Sequence, residues 1–300
     1  MNYSEDTIKK WTNPLSASED EKLLNAERMV KDAITNNDIL SKLEIKVFCQ
    51  GSYANNTNIR LDSDIDVNIN YKGAFYYDLP FGMKKEDFGL GNACNYSYHE
   101  FKNDVETALI EKFGRQNVKR KNKCFTVMEN SYRAEIDIVP TWKHHWYQKD
   151  GSYVEGVVLF ANGDNSKVIN YPLQHIENGR QKNERTQRRY KKLIRIFKKV
   201  NVKMEEDNFY NDKSISSFLL ESLIWNCPDS IFNDYETWND RIRAAISFIY
   251  NNTKENSTAY KEWGEVSDLL YLFYNKRKWT REAVNKHMVK MWNYMGYQND

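Results

Sequence analysis

Cysteine is scarce in this chain of 300 residues, limited to Cys49, Cys94, Cys124 and Cys227 at wide and irregular spacing. No CxxC pair or histidine-rich tract accompanies them, which argues against structural zinc and a disulfide framework and for a reducing compartment. Long apolar runs are missing too. The opening "MNYSEDTIKKWTNPLSASEDEK" has no signal-peptide core, and no stretch of 18 apolar residues follows, so a cytoplasmic protein with no membrane partner is expected. Strong net charge is absent: 44 basic against 42 acidic residues give +2, too little for a global field that recruits nucleic acid or an acidic membrane. No repeat or low-complexity linker is evident. What is present is 40% hydrophobic residues with 20 Tyr and 8 Trp, the composition of a packed protein.

The first half alternates helix and strand signals. From Ser18, "SEDEKLLNAERMVKDAI" starts at a cap residue and carries apolar residues at helical spacing. "IKVFCQ" (45–50) reads as a strand ending at Gly51. After a short polar stretch, "DSDIDVNIN" places Asp64, Asp66, Asn68 and Asn70 on one face and Ile65, Val67 and Ile69 on the other, and for Asn68 and Asn70 that face reads as the polar outer side of an ordinary strand. Residues 72–96 read as a long irregular excursion. Tyr98, Phe101, Val105, Leu109 and Phe113 then mark a helix that Gly114 ends. "NVKRKNKCFTVM", "RAEIDIVP" (stopped by Pro140) and "YVEGVVLF" (153–160) read as strands. After Pro172 the texture is helical: a stripe of Tyr190, Leu193 or Ile194, Phe197 and Val200, the Ser-capped "SISSFLLESLIW", and segments near 234–251, 259–275 and 280–295. The expected domains are 1–170 and 171–300, packed on each other with a substrate cleft between them.

Alternation puts Asp64 and Asp66 side by side on one strand face, where the two carboxylates repel unless a cation joins them. Hard oxygen ligands with few other protein groups suit Mg²⁺, which takes substrate phosphates as remaining ligands, so a nucleoside triphosphate is the natural substrate. Asp137, between isoleucines in "AEIDIVP", repeats the pattern on a later strand and offers the third carboxylate of a two-ion site. Upstream, "QGSYANNT" follows a strand. Gly51 permits close backbone approach to phosphate, Ser52 adds a hydroxyl, and the first amides of a helix starting there favour an anion. Gly-Ser and Asp-x-Asp are each common; their order in this strand context carries the signal.

The order Gly51-Ser52, Asp64-x-Asp66, Asp137 resembles the DNA polymerase β-like nucleotidyltransferase superfamily. Within it, "QGSYANNTNIRLDSDIDV", "NERTQRRYKKLIRIFKKV" and "SISSFLLESLIW" are similar to the bacterial cGAS/DncV-like nucleotidyltransferases, or CD-NTases, of anti-phage (CBASS) signalling. The resemblance spans about Trp11 to the 220s. It implies an α+β fold, a mixed-sheet nucleotidyltransferase core with flanking helices packed against a C-terminal helical domain, with the active site between them. It implies joining of nucleoside triphosphates, with release of pyrophosphate, into a cyclic di- or trinucleotide read by a separate effector. By position, Asp64 and Asp66 would bind both Mg²⁺ (or Mn²⁺) ions and Asp137 the ion that activates the attacking ribose hydroxyl. Gln50, Gly51 and Ser52 would line the donor triphosphate. Lys198 and Ser217 stand where cyclic GMP-AMP synthase-like enzymes have a phosphate-gripping Lys and Ser, and Phe218 where a base-stacking Tyr is usual.

Blander readings stand beside these. Between Arg180 and Lys203 lie 11 basic residues against the single acid Glu184, by default a solvated helix face. Arg188, Lys191 or Lys192, Arg195 and Lys198 recur at helical spacing and offer triphosphate contacts, or an RNA-binding face that the near-neutral charge disfavours. His144-His145 reads as part of an aromatic loop without a third ligand, and His175 as a capping or loop group. The chain is expected to act as a monomer. Two other functions stay open on the sequence: a linear polymerase or tRNA- or protein-modifying transferase, and a non-catalytic nucleotide sensor.

Overall fold

In the computed structural model all residues are described except 1, 15, 60–64, 92, 275–277 and 300 and the side chains of 17–19 and 299. In chain order the described elements are α1 (Glu5–Trp11), α2 (Ala17–Thr35), β1 (Ile45–Gln50), α3 (Gly51–Ala54), β2 (Ile65–Asp78), α4 (Tyr98–Phe113), β3 (Val118–Arg120), β4 (Phe125–Val127), β5 (Ile136–Tyr147), β6 (Tyr153–Phe160) and β7 (Lys167–Asn170). The helices α5 (Pro172–Arg185), α6 (Tyr190–Glu206), α7 (Ser217–Trp225), α8 (Asp229–Asn233), α9 (Trp238–Thr253) and α10 (Arg281–Tyr294) follow. Contacts divide the chain into two compact units, Ser16–Ala54 with Arg60–Leu173, and Met1–Leu15 with Asn55–Ile59 and Gln174–Asp300. A single cut at residue 170 does not describe this. Ile8 of α1 is fully buried in the helical unit's apolar cluster, and residues 55–59 are held there by hydrogen bonds.

The first unit is a mixed sheet in the order β1-β2-β5-β4-β3, with β6 and then β7 continuing from β5. Ile65, Val67 and Ile69 of β2 and Ile136 and Ile138 of β5 are all buried, and α2 packs on β2 and α4 on β5. Helix α4 begins in a capping box, Ser97 accepting from the Glu100 amide and Glu100 from the Ser97 amide. Its predicted stripe from Tyr98 to Phe113 is buried. The central pair β2 and β5 is parallel.

Both central strands run further than their sequence suggests. β2 continues to Asp78 through a register shift between Tyr71 and Phe75, so the start of the expected 72–96 excursion, residues 72–78, is strand. Gly73 lies within the shift, where the Tyr71 side chain comes so close that a β-carbon would stand 2.6 Å from its hydroxyl. β5 passes through Pro140 instead of stopping: β4 pairs with residues 136–138 and β6 with 142–147, so 139–141 lie between the two ladders on the side away from β2. A residue lacking an N–H is tolerated there. His144 and His145 consequently lie in a strand, buried, not in a loop. Burial pushes His145 down to about 4, and His144 below its usual value.

In the helical unit, Tyr190, Leu193, Ile194, Phe197 and Val200 of α6 pack with Leu219, Leu223 and Ile224 of α7 and with Ile242, Ile246 and Ile249 of α9. Each such side chain contributes roughly 1.5–3 kcal/mol on burial. The basic segment is two helices, not one, broken where Gln187 and Arg188 take φ of 52° and 63°. The helix expected over 259–275 is not formed over the described residues 259–274. A 3-10 turn at Ala259–Glu262 leads to a bridge between Gly264 and Tyr271, and Asp268 turns the chain at φ 59°.

Candidate functional site

β1 delivers the chain to Gln50 and the turn at Gly51, whose φ is +67°. β2 runs back antiparallel so that Asp66 pairs with Gln50, and β5 lies parallel so that Asp137 pairs with Asp66. Residues in register on neighbouring strands project to the same face with backbones about 4.8 Å apart, so the two carboxylates arise side by side. Gly51 closes the third side. A β-carbon on it would meet Asp66 Oδ2 at 2.1 Å, so only glycine fits the approach. Ser52 follows, half-buried, in an α3 of four residues. The anion-favouring donors here are the amides of one turn, without a long helix behind them.

Asp137 has its own partners. The Thr126 hydroxyl donates to Asp137 Oδ1 at 2.5 Å, and Lys121 Nζ stands 3.4 Å from the same oxygen. Burial alone would lower the Lys121 ammonium, but the Asp137 carboxylate overrides it and raises it. The neighbouring Cys124 thiol is pushed up to about 11, by burial first and by Asp137 second. Thr126 and Lys121 were not singled out from sequence; only the antiparallel pairing of Thr126 with Asp137 exposes them.

Asn68 and Asn70, read as the polar outer face of an ordinary strand, are 0% and 1% exposed. The reason is a side-chain ladder behind the carboxylates. Asn68 donates to Gln50 Oε1 at 3.0 Å, Thr141 to Asn68 Oδ1 at 2.6 Å, and Asn70 to Thr141 Oγ1 at 2.9 Å. Each buried polar group is thereby satisfied by another, and Gln50 is held at the turn.

Asp64 lies outside the described residues, and among those described no group of three His, Cys, Asp or Glu side chains is placed to hold an ion. Asp66 and Asp137 supply the paired hard oxygen donors that Mg²⁺ takes. Among the described residues, no helix is long and apolar enough to cross a membrane.

In the helical unit, Ser216 is the cap of α7, accepting from the Leu219 amide, and leaves Ser217 and Phe218 exposed on the first turn. Trp279 stacks against Phe218 with centroids 5.5 Å apart, a partner that sequence reading missed. Lys198 is turned inward. Its ammonium lies 3.1 Å from both Glu221 Oε2 and Thr57 Oγ1 and the residue is 3% exposed. His175 is a buried helix residue of α5, its Nε2 3.0 Å from Glu221 Oε1. Burial would raise the Glu221 carboxyl, but Lys198, and after it His175, hold it well below the usual range.

Residues 177–296 match the family model of the cGAS/DncV-like nucleotidyltransferase C-terminal helical domain. A cyclic dipyrimidine nucleotide synthase CdnE of Cecembia lonarensis is 52% identical over 98% of this chain and 99% of its own. Two solved structures are similar. That of Elizabethkingia meningoseptica CdnE cyclic dinucleotide synthase with GTP and Apcpp has a TM-score of 0.81 at 33% identity, covering 99% of this chain and 100% of its own. That of Rhodothermus marinus CdnE c-UMP-AMP synthase with Apcpp and Upnpp has 0.86 at 26%, covering 98% and 97%. With the in-register aspartates and the Gly51 turn already described, these likenesses place the chain in the cGAS/DncV-like nucleotidyltransferase family, and it is a nucleotidyltransferase.

Proposed function

We propose that the protein condenses two nucleoside triphosphates into a cyclic dinucleotide, with pyrimidine nucleotides among its substrates, for a signalling pathway of the anti-phage (CBASS) type. The observation that carries the chemistry is the in-register pair Asp66 and Asp137 with the Gly51 backbone pressed against Asp66. The 52% likeness to a cyclic dipyrimidine nucleotide synthase supports the product class. Asp64, Asp66 and Asp137 would hold two Mg²⁺ ions, which when bound neutralise phosphate charge and make a ribose hydroxyl acidic. Gln50, Gly51 and Ser52 line the donor triphosphate, the turn's amides and the Ser52 hydroxyl offering hydrogen bonds to its oxygens. Ser217 and Phe218 contact nucleotide from the first turn of α7. The ribose oxygen attacks an α-phosphorus, a new P–O bond forms, the bond to pyrophosphate breaks, and the hydroxyl proton leaves to solvent. A second such step within the linear intermediate closes the ring.

Mass spectrometry of products from mixed ATP, GTP, CTP and UTP with Mg²⁺ tests this. A cyclic product from wild type, lost in Asp66→Asn and Asp137→Asn, is expected. Formation of only linear products, or unchanged turnover in both variants, overturns it. For the signalling role, infected cells expressing the chain should accumulate the cyclic product before lysis, and equal levels with and without phage would count against it.

A further inference from the structure

Phe218 stands where a base-stacking Tyr is usual, yet it carries no hydroxyl through which a hydrogen bond could fix its ring. On the first turn of α7 it is 37% exposed, and other rings are what hold it. Trp279 lies against it with centroids 5.5 Å apart and planes 19° from parallel, so one face of Phe218 is taken. His175 approaches at 45° with centroids 5.8 Å apart, its own Nε2 lying 3.0 Å from Glu221 Oε1. Trp279 has a separate anchor. It packs on the apolar cluster of the helical unit, and the residue after it, Thr280, caps α10 by accepting from the Ala283 amide. The half-buried indole therefore ties a surface ring to the core, and a base that stacks on Phe218 has the opposite face left to it. All of these residues belong to the one helical unit.

We propose that Trp279 is a positioning residue for the nucleobase: it backs Phe218, so that base, Phe218 and Trp279 form one stack of three planes, and the packed indole gives Phe218 the fixed orientation that a ring without a hydroxyl cannot take from a hydrogen bond. The proposal rests on the reading of Phe218 as a nucleotide contact. Stacking uses the flat face of a base and not its hydrogen-bonding edge, so this shelf serves pyrimidine and purine nucleotides alike and leaves base choice to other groups. The place of Trp279, immediately before a helix cap, is also one where an apolar side chain sets the entry of the chain into the helix. That task is purely structural, and the experiment separates it from the shelf.

The test compares full-length Phe218→Ala, Trp279→Ala, the double variant and Trp279→Phe. Calorimetry measures binding of the α,β-methylene analogues of CTP and ATP, and of tripolyphosphate, which has no base. Phe218→Ala should weaken both analogues at least about fivefold, the lower end of what stacking one base contributes. Trp279→Ala should weaken both by about two- to tenfold, the range of an aromatic pair, with tripolyphosphate unaffected. Because Trp279 acts through Phe218, removing it from Phe218→Ala should add less than about a twofold change. Trp279→Phe, which keeps a flat face, should recover most of the affinity. In turnover the Trp279→Ala loss should appear in KM with kcat nearly unchanged. Analogue affinity within twofold of wild type in Trp279→Ala, beside a clear loss in Phe218→Ala, would overturn the shelf. So would an equal loss for tripolyphosphate, or a loss that persists in full in the double variant, since either marks a structural role. If Trp279→Ala fails to fold, Trp279→Leu, which keeps apolar bulk without a flat face, is read by the same criteria. Unchanged analogue affinity in Phe218→Ala would instead fail the reading of Phe218 as a nucleotide contact, and the shelf with it.

Discussion

Replacing Gly51 by alanine isolates the approach of the turn to Asp66. Two penalties act together. At φ +67° a residue with a β-carbon costs roughly 1–2 kcal/mol in the left-handed region, which lowers stability without touching chemistry. The second is steric: the new methyl would lie 2.1 Å from Asp66 Oδ2 and 3.0 Å from its carboxyl carbon. Non-bonded heavy atoms settle near 3.5–4.0 Å, so either the carboxylate or the turn has to shift by about 1 Å or more. A misplacement of that size costs on the order of a hundredfold in rate, which corresponds to about 2.7 kcal/mol of transition-state stabilisation.

The expected result is a fall of about two decades in the initial rate of pyrophosphate release, beside a drop of a few degrees in the thermal midpoint. Ser52→Ala is the comparison. It creates no clash at the adjacent position and removes only a hydroxyl, a loss of about 1 kcal/mol or roughly fivefold in rate. If Gly51→Ala keeps its rate within threefold of wild type, the Asp66 carboxylate does not need the place it occupies, and the assignment of the turn to the site is wrong. A rate loss matched in Ser52→Ala would also refute the steric argument, since the two substitutions would then share a cause other than the contact.

Three further outcomes follow from the neighbours of the site. Thr126→Val removes the 2.5 Å hydrogen bond that orients Asp137 and should lower activity, or apparent affinity in a Mg²⁺ titration, by about 10- to 100-fold, with circular dichroism unchanged. Asn68→Val leaves the buried Thr141 hydroxyl without its acceptor and Gln50 without its donor, so urea unfolding should show a loss of about 1–3 kcal/mol. The Glu221 carboxyl is held below its ordinary value, so the stability it contributes is present above its unfolded pKa of about 4.3 and is lost as pH falls toward the folded one. Urea midpoints at pH 7 and pH 4 should therefore differ less in Glu221→Gln than in wild type, and an equal or larger difference would count against the buried pair.

What was legible in the sequence is what short-range rules govern. The α4 stripe and the Ser cap of α7 were readable because each depends on residues within a few positions. The aspartates were readable as a pattern, but their juxtaposition depended on β2 and β5 lying parallel in one register, with 70 intervening residues. The failures have the same origin. Pro140 was read as a stop because its missing N–H is local, whereas the gap in pairing that tolerates it belongs to β4 and β6. Asn68 and Asn70 read as solvent-facing because alternation reports which residues share a face, not what covers that face; Thr141, on another strand, supplies the partner that keeps them buried. The basic stretch makes the point most sharply. Eleven cations over 24 residues suggest an anion, and the default is a solvated face, yet Lys182 donates to the Trp225 and Cys227 carbonyls, Arg195 to those of Thr12 and Asn56, and Lys198 to Glu221. A lysine's sequence position fixes its charge and its helix face, but the acid or carbonyl that meets it is set by packing. What meets Lys198 inside the helical unit, a buried carboxylate and the Thr57 hydroxyl, was therefore beyond the reach of position alone.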